Sequence, residues 1–187
     1  MLYRPDSKQN LDSTAPAAGD VPLVTWLDRS AGLAASDLIW LQHHLTAALD
    51  RLGTRGEVRV ASVGDAEMTA AHARTLGIHE STDVLTFDLA EPGPDSQNHA
   101  AALDTDIMVC VDEARRHAPE PDALRRELLL YALHGVLHCL GHDDHDQADF
   151  DRMHALEDQV LTAIGVGPVF APSQAALPVQ PSEEVRA

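Results

Sequence analysis

Cysteine is scarce in this chain of 187 residues. Only Cys110 and Cys139 occur, each inside an apolar run. That count excludes a disulfide framework and suits a reducing compartment, where such residues serve as small buried hydrophobes. Long apolar runs are missing as well: none approaches the roughly 18 residues that a membrane crossing needs. The opening MLYRPDSKQNLDSTAPAAGD has no apolar centre of the kind a signal peptide carries. A soluble, cytoplasmic protein without a membrane partner is expected. Positive charge is the third shortage, with 13 Lys and Arg against 30 Asp and Glu and a formal charge of −17. This balance argues against sequence-blind attachment to nucleic acid, which depends on neutralising phosphates. It leaves room for an RNA contact made through a local basic strip, a metal or a large partner. No internal repeat is visible.

What is present fits one globular domain. Hydrophobic residues make up 44% of the chain, enough for a core at this length. Residues 1–20 read as a polar, flexible leader, residues 21–167 as a single domain, and residues 168–187 as a disordered Pro-rich tail. Val21–Leu27 reads as a strand weakened by Pro22. A helix capped by Ser36 runs to Leu52, with Leu38, Leu41, Leu45, Leu49 and Leu52 on one stripe and Gly53 as its stop. Glu57–Val63 alternates as a strand, and a helix capped by Asp65 ends before Gly77. Asp83–Leu89 and Asp106–Val111 read as buried strands joined by a polar loop holding Pro92 and Pro94. Pro121 starts a helix that is apolar on most faces and runs to Leu140; such a helix belongs in the domain centre. A last helix begins near Asp146. The fold class expected is α+β: a mixed β-sheet packed with helices, with a central buried helix carrying a zincin-like metal site.

That central helix ends in LHGVLHCLGHDDHD, Leu133 to Asp146. His134 and His138 are four apart and so project from one helix face, one turn apart, close enough to chelate one ion. Two unpartnered imidazoles in an otherwise apolar helix would be costly to bury. Gly141 can reverse the chain and return His142, Asp144 or His145 towards the pair. Three protein ligands without a cysteine cluster form an open, catalytic type of site. Imidazoles favour zinc, one ion per chain, while nickel, copper and iron suit the same ligand type. Cys139 points about 100° away from its neighbour His138 and reads as core.

Three ordered blocks of the sequence resemble one known family. His134–His145, HGVLHCLGHDDH, is similar to the signature His-Gly-x-Leu-His-x-x-Gly-Tyr-Asp-His of the YbeY family of bacterial endoribonucleases. Ser81–Leu89, STDVLTFDL, resembles that family's Pro-Thr-Asp-Val-Leu-Ser-Phe block. Thr105–Ala118 resembles its strand-helix block, and the likeness extends from about Val58 to Ile164. The family's ligand spacing, His-x3-His-x5-His, puts Asp144 third when counted strictly. The Asp-His ending of the motif puts His145 third if one residue is inserted. The resemblance implies a metal held by His134, His138 and His145, with Asp144 as the second choice for the third place. His142 stands where the family has Tyr and is expected in the pocket wall. The family's phosphodiester-contacting arginine has no counterpart at its usual place, Thr75-Leu76; Arg74 is the nearest.

The resemblance implies a zinc-dependent endoribonuclease that cuts single-stranded RNA. Its partners would be rRNA precursor and the ribosome or small ribosomal subunit, and its role rRNA maturation and ribosome quality control. No catalytic side chain is assigned. A zinc peptidase would carry its glutamate base after the first histidine, and Gly135 stands there; a metal can activate water and stabilise phosphoryl charge with less help. Glycine inside a helix suggests close packing or substrate approach. The competing readings are a zinc peptidase or amidase with a base such as Asp143 or Asp83, and a zinc-stabilised ribosome-assembly factor that binds RNA without cutting it. Asp83 is expected mainly to shape a turn, and secondarily to orient a ligating histidine. The pairs Arg115-Arg116 and Arg125-Arg126 read as solvated faces first and RNA contacts second.

Overall fold

A computed structural model describes residues 22–90 and 102–170. The expected leader at 1–20, the loop with Pro92 and Pro94, and residues 171–187 of the tail expected from 168 lie outside the described residues, while 168–170 are hydrogen-bonded to Arg126 and Asp158.

Four strands form one sheet in the order β1-β2-β4-β3. They are β1 (Leu23–Asp28), β2 (Arg55–Val63), β3 (Val84–Asp88) and β4 (Ala102–Cys110). β1 and β4 run parallel to β2 on either side, and β3 lies antiparallel to β4 at the edge, with Thr86 opposite Ile107. The sheet is therefore mixed, and the fold is α+β as the pattern of elements implied.

Five helices complete the described fold: α1 (Ala35–Leu52), α2 (Asp65–Leu76), α3 (Val111–His117), α4 (Pro121–Cys139) and α5 (Gln147–Ala163). The main core lies between one sheet face and α1, α4 and α5. There Val24, Trp26, Val58, Val60, Ile107 and Val109 meet Leu41, Leu45, Leu49, Leu129, Leu133, Leu137 and Leu161. A smaller core joins the other face to α2 through Val63, Met68, Ala71, Leu85 and Cys110.

α4 is the axis of this packing. Every residue from Leu128 to Leu133 is buried, as are Gly135, Val136 and Leu137. Such an all-round apolar helix has no stable place except the interior. Pro121 occupies its first turn, where a missing N–H costs nothing. Gly135 lets α4 approach the sheet: a Cβ there would lie 2.5 Å from Thr86 Oγ1 and 3.3 Å from Ile107 Cδ1. The close packing suggested by a mid-helix glycine is thus explained by β3 and β4.

Two helix starts differ from expectation. α1 begins at Ala35, one residue before Ser36, and the Asp37 carboxylate accepts from the N–H of Ala34 at 3.2 Å. The nearby aspartate satisfies the backbone there, so the Ser36 hydroxyl does not cap. Asp65 is the first residue of α2 rather than its cap. Its own N–H donates to Asp112 Oδ2 at 3.0 Å, so the cap comes from α3.

Candidate metal centre

The end of α4 aims two histidines and then turns the chain back. Gly141 takes φ +86°, the left-handed conformation open to glycine. The N–H of His142 donates to Leu137 O at 3.0 Å, and that of Gly141 to His138 O at 3.0 Å. This pair of bonds closes the helix with a Schellman turn. Asp146 then caps α5, its carboxylate accepting from Asp149 N–H at 2.8 Å. Between the two caps only His142 to His145 remain, a span short enough to hold Asp144 against the α4 histidines.

The donor atoms converge. His134 Nε2 and His138 Nε2 lie 3.0 Å apart. Asp144 Oδ2 is 3.6 Å from His134 Nε2, and Asp144 Oδ1 is 4.0 Å from His138 Nε2. These three residues form a group able to hold a metal ion. For comparison, two donors about 2.1 Å from one tetrahedral ion stand roughly 3.4 Å apart.

Hydrogen bonds behind the rings fix which nitrogens face inward. His134 Nδ1 lies 2.8 Å from Oε1 of Glu157, a residue with no exposed surface. A carboxylate only accepts, so Nδ1 carries the hydrogen and Nε2 presents a lone pair. His138 Nδ1 likewise donates to the carbonyl of His142 at 3.1 Å. Two lone pairs facing each other at 3.0 Å repel unless a proton or cation lies between them. The donor set and its backing therefore fit a divalent ion, and a carboxylate behind a ligating histidine is the usual support of such a site. Burial opposes charging of the His134 ring, but Glu157 together with the charges of Asp144 and Asp83 outweighs it. The His134 pKa is held above its ordinary value.

The other expected residues fall elsewhere. His145 is 84% exposed; its Nδ1 contacts Asp143 Oδ1 and lies 3.9 Å from Asp144 Oδ1. It groups with the two aspartates rather than with the α4 histidines. The His142 side chain is exposed, and its carbonyl is what the site uses. Cys139 receives a hydrogen bond from Thr105 Oγ1 at 3.5 Å, on the sheet side of α4. Asp83 Oδ1 accepts from Thr82 Oγ1 and from Val84 N–H, at 2.9 and 2.8 Å. It shapes the entry to β3 and contacts no histidine through these bonds.

Arg74 is exposed in the last turn of α2. The paired arginines are committed within the molecule. Arg116 binds Asp65 and Glu113, and Arg115 binds Asp112 and the Gly32 carbonyl. Arg125 pairs with Asp122 and lies over the Trp40 ring, while Arg126 donates to the Pro168 carbonyl.

Three residues of the site were missed by sequence reasoning. Glu157 also accepts from His154 Nδ1 at 2.5 Å, and the His154 ring stacks on Phe170. Glu157 sits on the buried stripe of α5 between Met153 and Leu161, four residues from each. A carboxylate on an apolar stripe was the signal available.

The sequence model of the family described as Endoribonuclease YbeY matches residues 34–165. This chain belongs to the YbeY family. It is 35% identical over 125 residues to an "Endoribonuclease YbeY" of Moorella thermoacetica, covering 64% of this chain and 80% of that protein. The same name is carried by a Thermus thermophilus protein, 35% identical over 124 residues, or 65% of this chain and 86% of that one. A YbeY relative from Macrococcus caseolyticus is 31% identical over 147 residues, covering 76% of this chain and 96% of its own length.

Proposed function

We propose that this chain is a zinc-dependent endoribonuclease acting on single-stranded RNA in rRNA maturation and ribosome quality control. The reading is carried by the convergence of His134, His138 and Asp144 in a chain of the YbeY family. His134 and His138 would hold the ion through Nε2, with Asp144 as third ligand. Geometry favours Asp144 over His145, which the motif ending had placed third. Three protein ligands to one ion per chain would make the open, catalytic type of site. When bound, zinc supplies Lewis-acid chemistry, acidifying water and neutralising charge on a phosphoryl oxygen.

The chain's own residues prepare the site. Glu157 and the His142 carbonyl hold both imidazoles with Nε2 inward, the orientation in which they would bind an ion. Asp144 offsets part of the ion's charge. The peptidase reading loses ground at Gly135, because Thr86 and Ile107 fill the direction in which a glutamate there would extend. The family resemblance supports a cytoplasmic place beside the small ribosomal subunit. Among the described residues no helix is long and apolar enough to cross a membrane.

The test is cleavage of a defined single-stranded RNA by the zinc-reconstituted chain, beside His134→Ala and a chelated sample. Internal cleavage by the wild type alone is expected, with no turnover of peptides. Cleavage that persists undiminished in His134→Ala would mean a contaminating nuclease or a different site. A reconstituted wild type that cuts peptides and no RNA would reverse the assignment.

A further inference from the structure

Beyond α5 the chain is tied back to the helix it has just left. The Asp158 carboxylate accepts from the backbone N–H of Val169 at 2.9 Å and of Phe170 at 3.1 Å. Arg126 anchors the same segment through the Pro168 carbonyl at 2.8 Å. These bonds lay the Phe170 ring flat on His154, with centroids 3.9 Å apart and planes 2° from parallel. Phe150 stands edge-on to both, at 4.2 Å from His154 and 5.6 Å from Phe170. His154 is itself oriented by its bond to Glu157, and its ring centre lies 6.1 Å from that of His134.

One face of Phe170 is covered by His154, yet the residue remains 45% exposed. A phenylalanine fixed at its backbone and stacked on a locked imidazole presents a rigid aromatic surface to solvent. That surface stands one ring beyond His154, which neighbours a proposed ligand. We infer that Phe170, backed by His154, is a nucleobase platform: its open face takes an unstacked base of single-stranded RNA beside the metal centre. The inference rests on the endoribonuclease reading and adds the subsite that holds the substrate.

The chemistry suits this chain. Stacking needs no positive charge, so it operates on a protein of formal charge −17 whose paired arginines are engaged elsewhere. Every base has a π-face, so the platform tolerates sequence and rejects paired strands, whose bases already stack on each other. Because the stack is preformed, little ordering is left for the moment of binding.

The experiment uses the full chain as wild type, Phe170→Leu and Phe170→Trp. Affinity for a labelled single-stranded oligoribonucleotide is measured on chelated protein, which prevents turnover. Zinc uptake and KM are measured after reconstitution. Phe170→Leu should bind the oligoribonucleotide about tenfold more weakly, raise KM more than it lowers kcat, and take up zinc like the wild type. Phe170→Trp should keep the affinity, and its added fluorescence should be quenched by RNA. Equal affinity and KM in Phe170→Leu and a wild type that cuts RNA would overturn the platform alone. Loss of zinc together with RNA affinity in Phe170→Leu would also overturn it, because the ring would then serve only to cover His154. A wild type that neither binds nor cuts single-stranded RNA would overturn the endoribonuclease reading, and the platform with it.

Discussion

Glu157 on α5 and His134 on α4 meet at 2.8 Å, joining a carboxylate with no exposed surface to the first histidine of the metal group. The same carboxylate holds His154 at 2.5 Å, so one buried group orients two rings. Substituting a residue that orients a ligating histidine costs about 10- to 100-fold in metal affinity. Glu157→Gln should fall in that range, because an amide accepts only through its oxygen and has no full charge. Glu157→Ala should lose more metal affinity and also lower the urea midpoint of the metal-free protein. It strands two partly buried imidazole N–H groups, at up to about 1–3 kcal/mol each. Chelator competition and urea unfolding measure the two effects separately. Wild-type zinc affinity in both Glu157→Gln and Glu157→Ala would remove Glu157 from any positioning role.

Gly135 is where helix propensity and packing oppose each other. Alanine favours a helix interior over glycine by about 1 kcal/mol. Here its Cβ would enter to 2.5 Å of Thr86 Oγ1. Overpacking of that kind costs about 1–3 kcal/mol, so Gly135→Ala should destabilise despite the better propensity. Removing the obstacle should reverse the sign: in a Thr86→Ala background, the same Gly135→Ala change should cost little or stabilise. Urea denaturation of the four proteins in this cycle gives the coupling directly. Additive effects would mean that the contact with Thr86 does not set the spacing of α4 and β3.

The helices were legible because their signals are local. The apolar stripe Leu41, Leu45, Leu49 and the stop at Gly53 stand in the sequence as they stand in α1. The reversal at Gly141 was legible for the same reason, since only a left-handed residue closes such a turn. The cap of α2 was not, because Asp112 reaches it from 47 residues away. Glu157 was hidden in the same manner: its partner His134 lies 23 residues earlier, on another helix. The family resemblance implied His134, His138 and His145 as a ligand set, with Asp144 as second choice for the third place. The placing of Asp144 depends on how many residues fit between the Schellman turn and the α5 cap, a three-dimensional count.

Asp65 and Arg116 give the fold a pH-dependent brace outside the metal centre. Arg116 donates to both Asp65 oxygens at 2.9 Å and also binds Glu113. Its guanidinium holds the Asp65 pKa down to about 2 from 3.8, and keeps Glu113 below its ordinary 4.5. Both folded values are depressed, so the stabilisation is fully present above pH 4.5. It fades as the pH falls through 3.8 towards about 2 and these carboxylates protonate. Arg116→Gln should therefore unfold at lower urea than the wild type near neutral pH, and the gap should close on acidification through that window. Solvent exposure keeps the gap modest. A gap that stays constant down to pH 2 would assign the effect to lost packing of the arginine stem instead.

Asp144 and His145 are adjacent in sequence and differ in everything that matters to an ion. Asp144 is 30% exposed with its oxygens 3.6 and 4.0 Å from the two inward Nε2 atoms, whereas His145 is 84% exposed and turned to Asp143. A ligand must bring its donor to about 2.0–2.2 Å from zinc. Asp144 needs only the ion itself to close that distance, while His145 would have to leave Asp143, with which it groups. Elemental analysis of purified, zinc-reconstituted protein should therefore find about one zinc per chain in the wild type and in His145→Ala. His134→Ala, His138→Ala and Asp144→Ala should each lose most of it. Asp144→His should retain zinc, because the strict family spacing puts a histidine at that position. Zinc kept by Asp144→Ala and lost by His145→Ala would show that the loop rearranges on binding and would restore His145 as the third ligand.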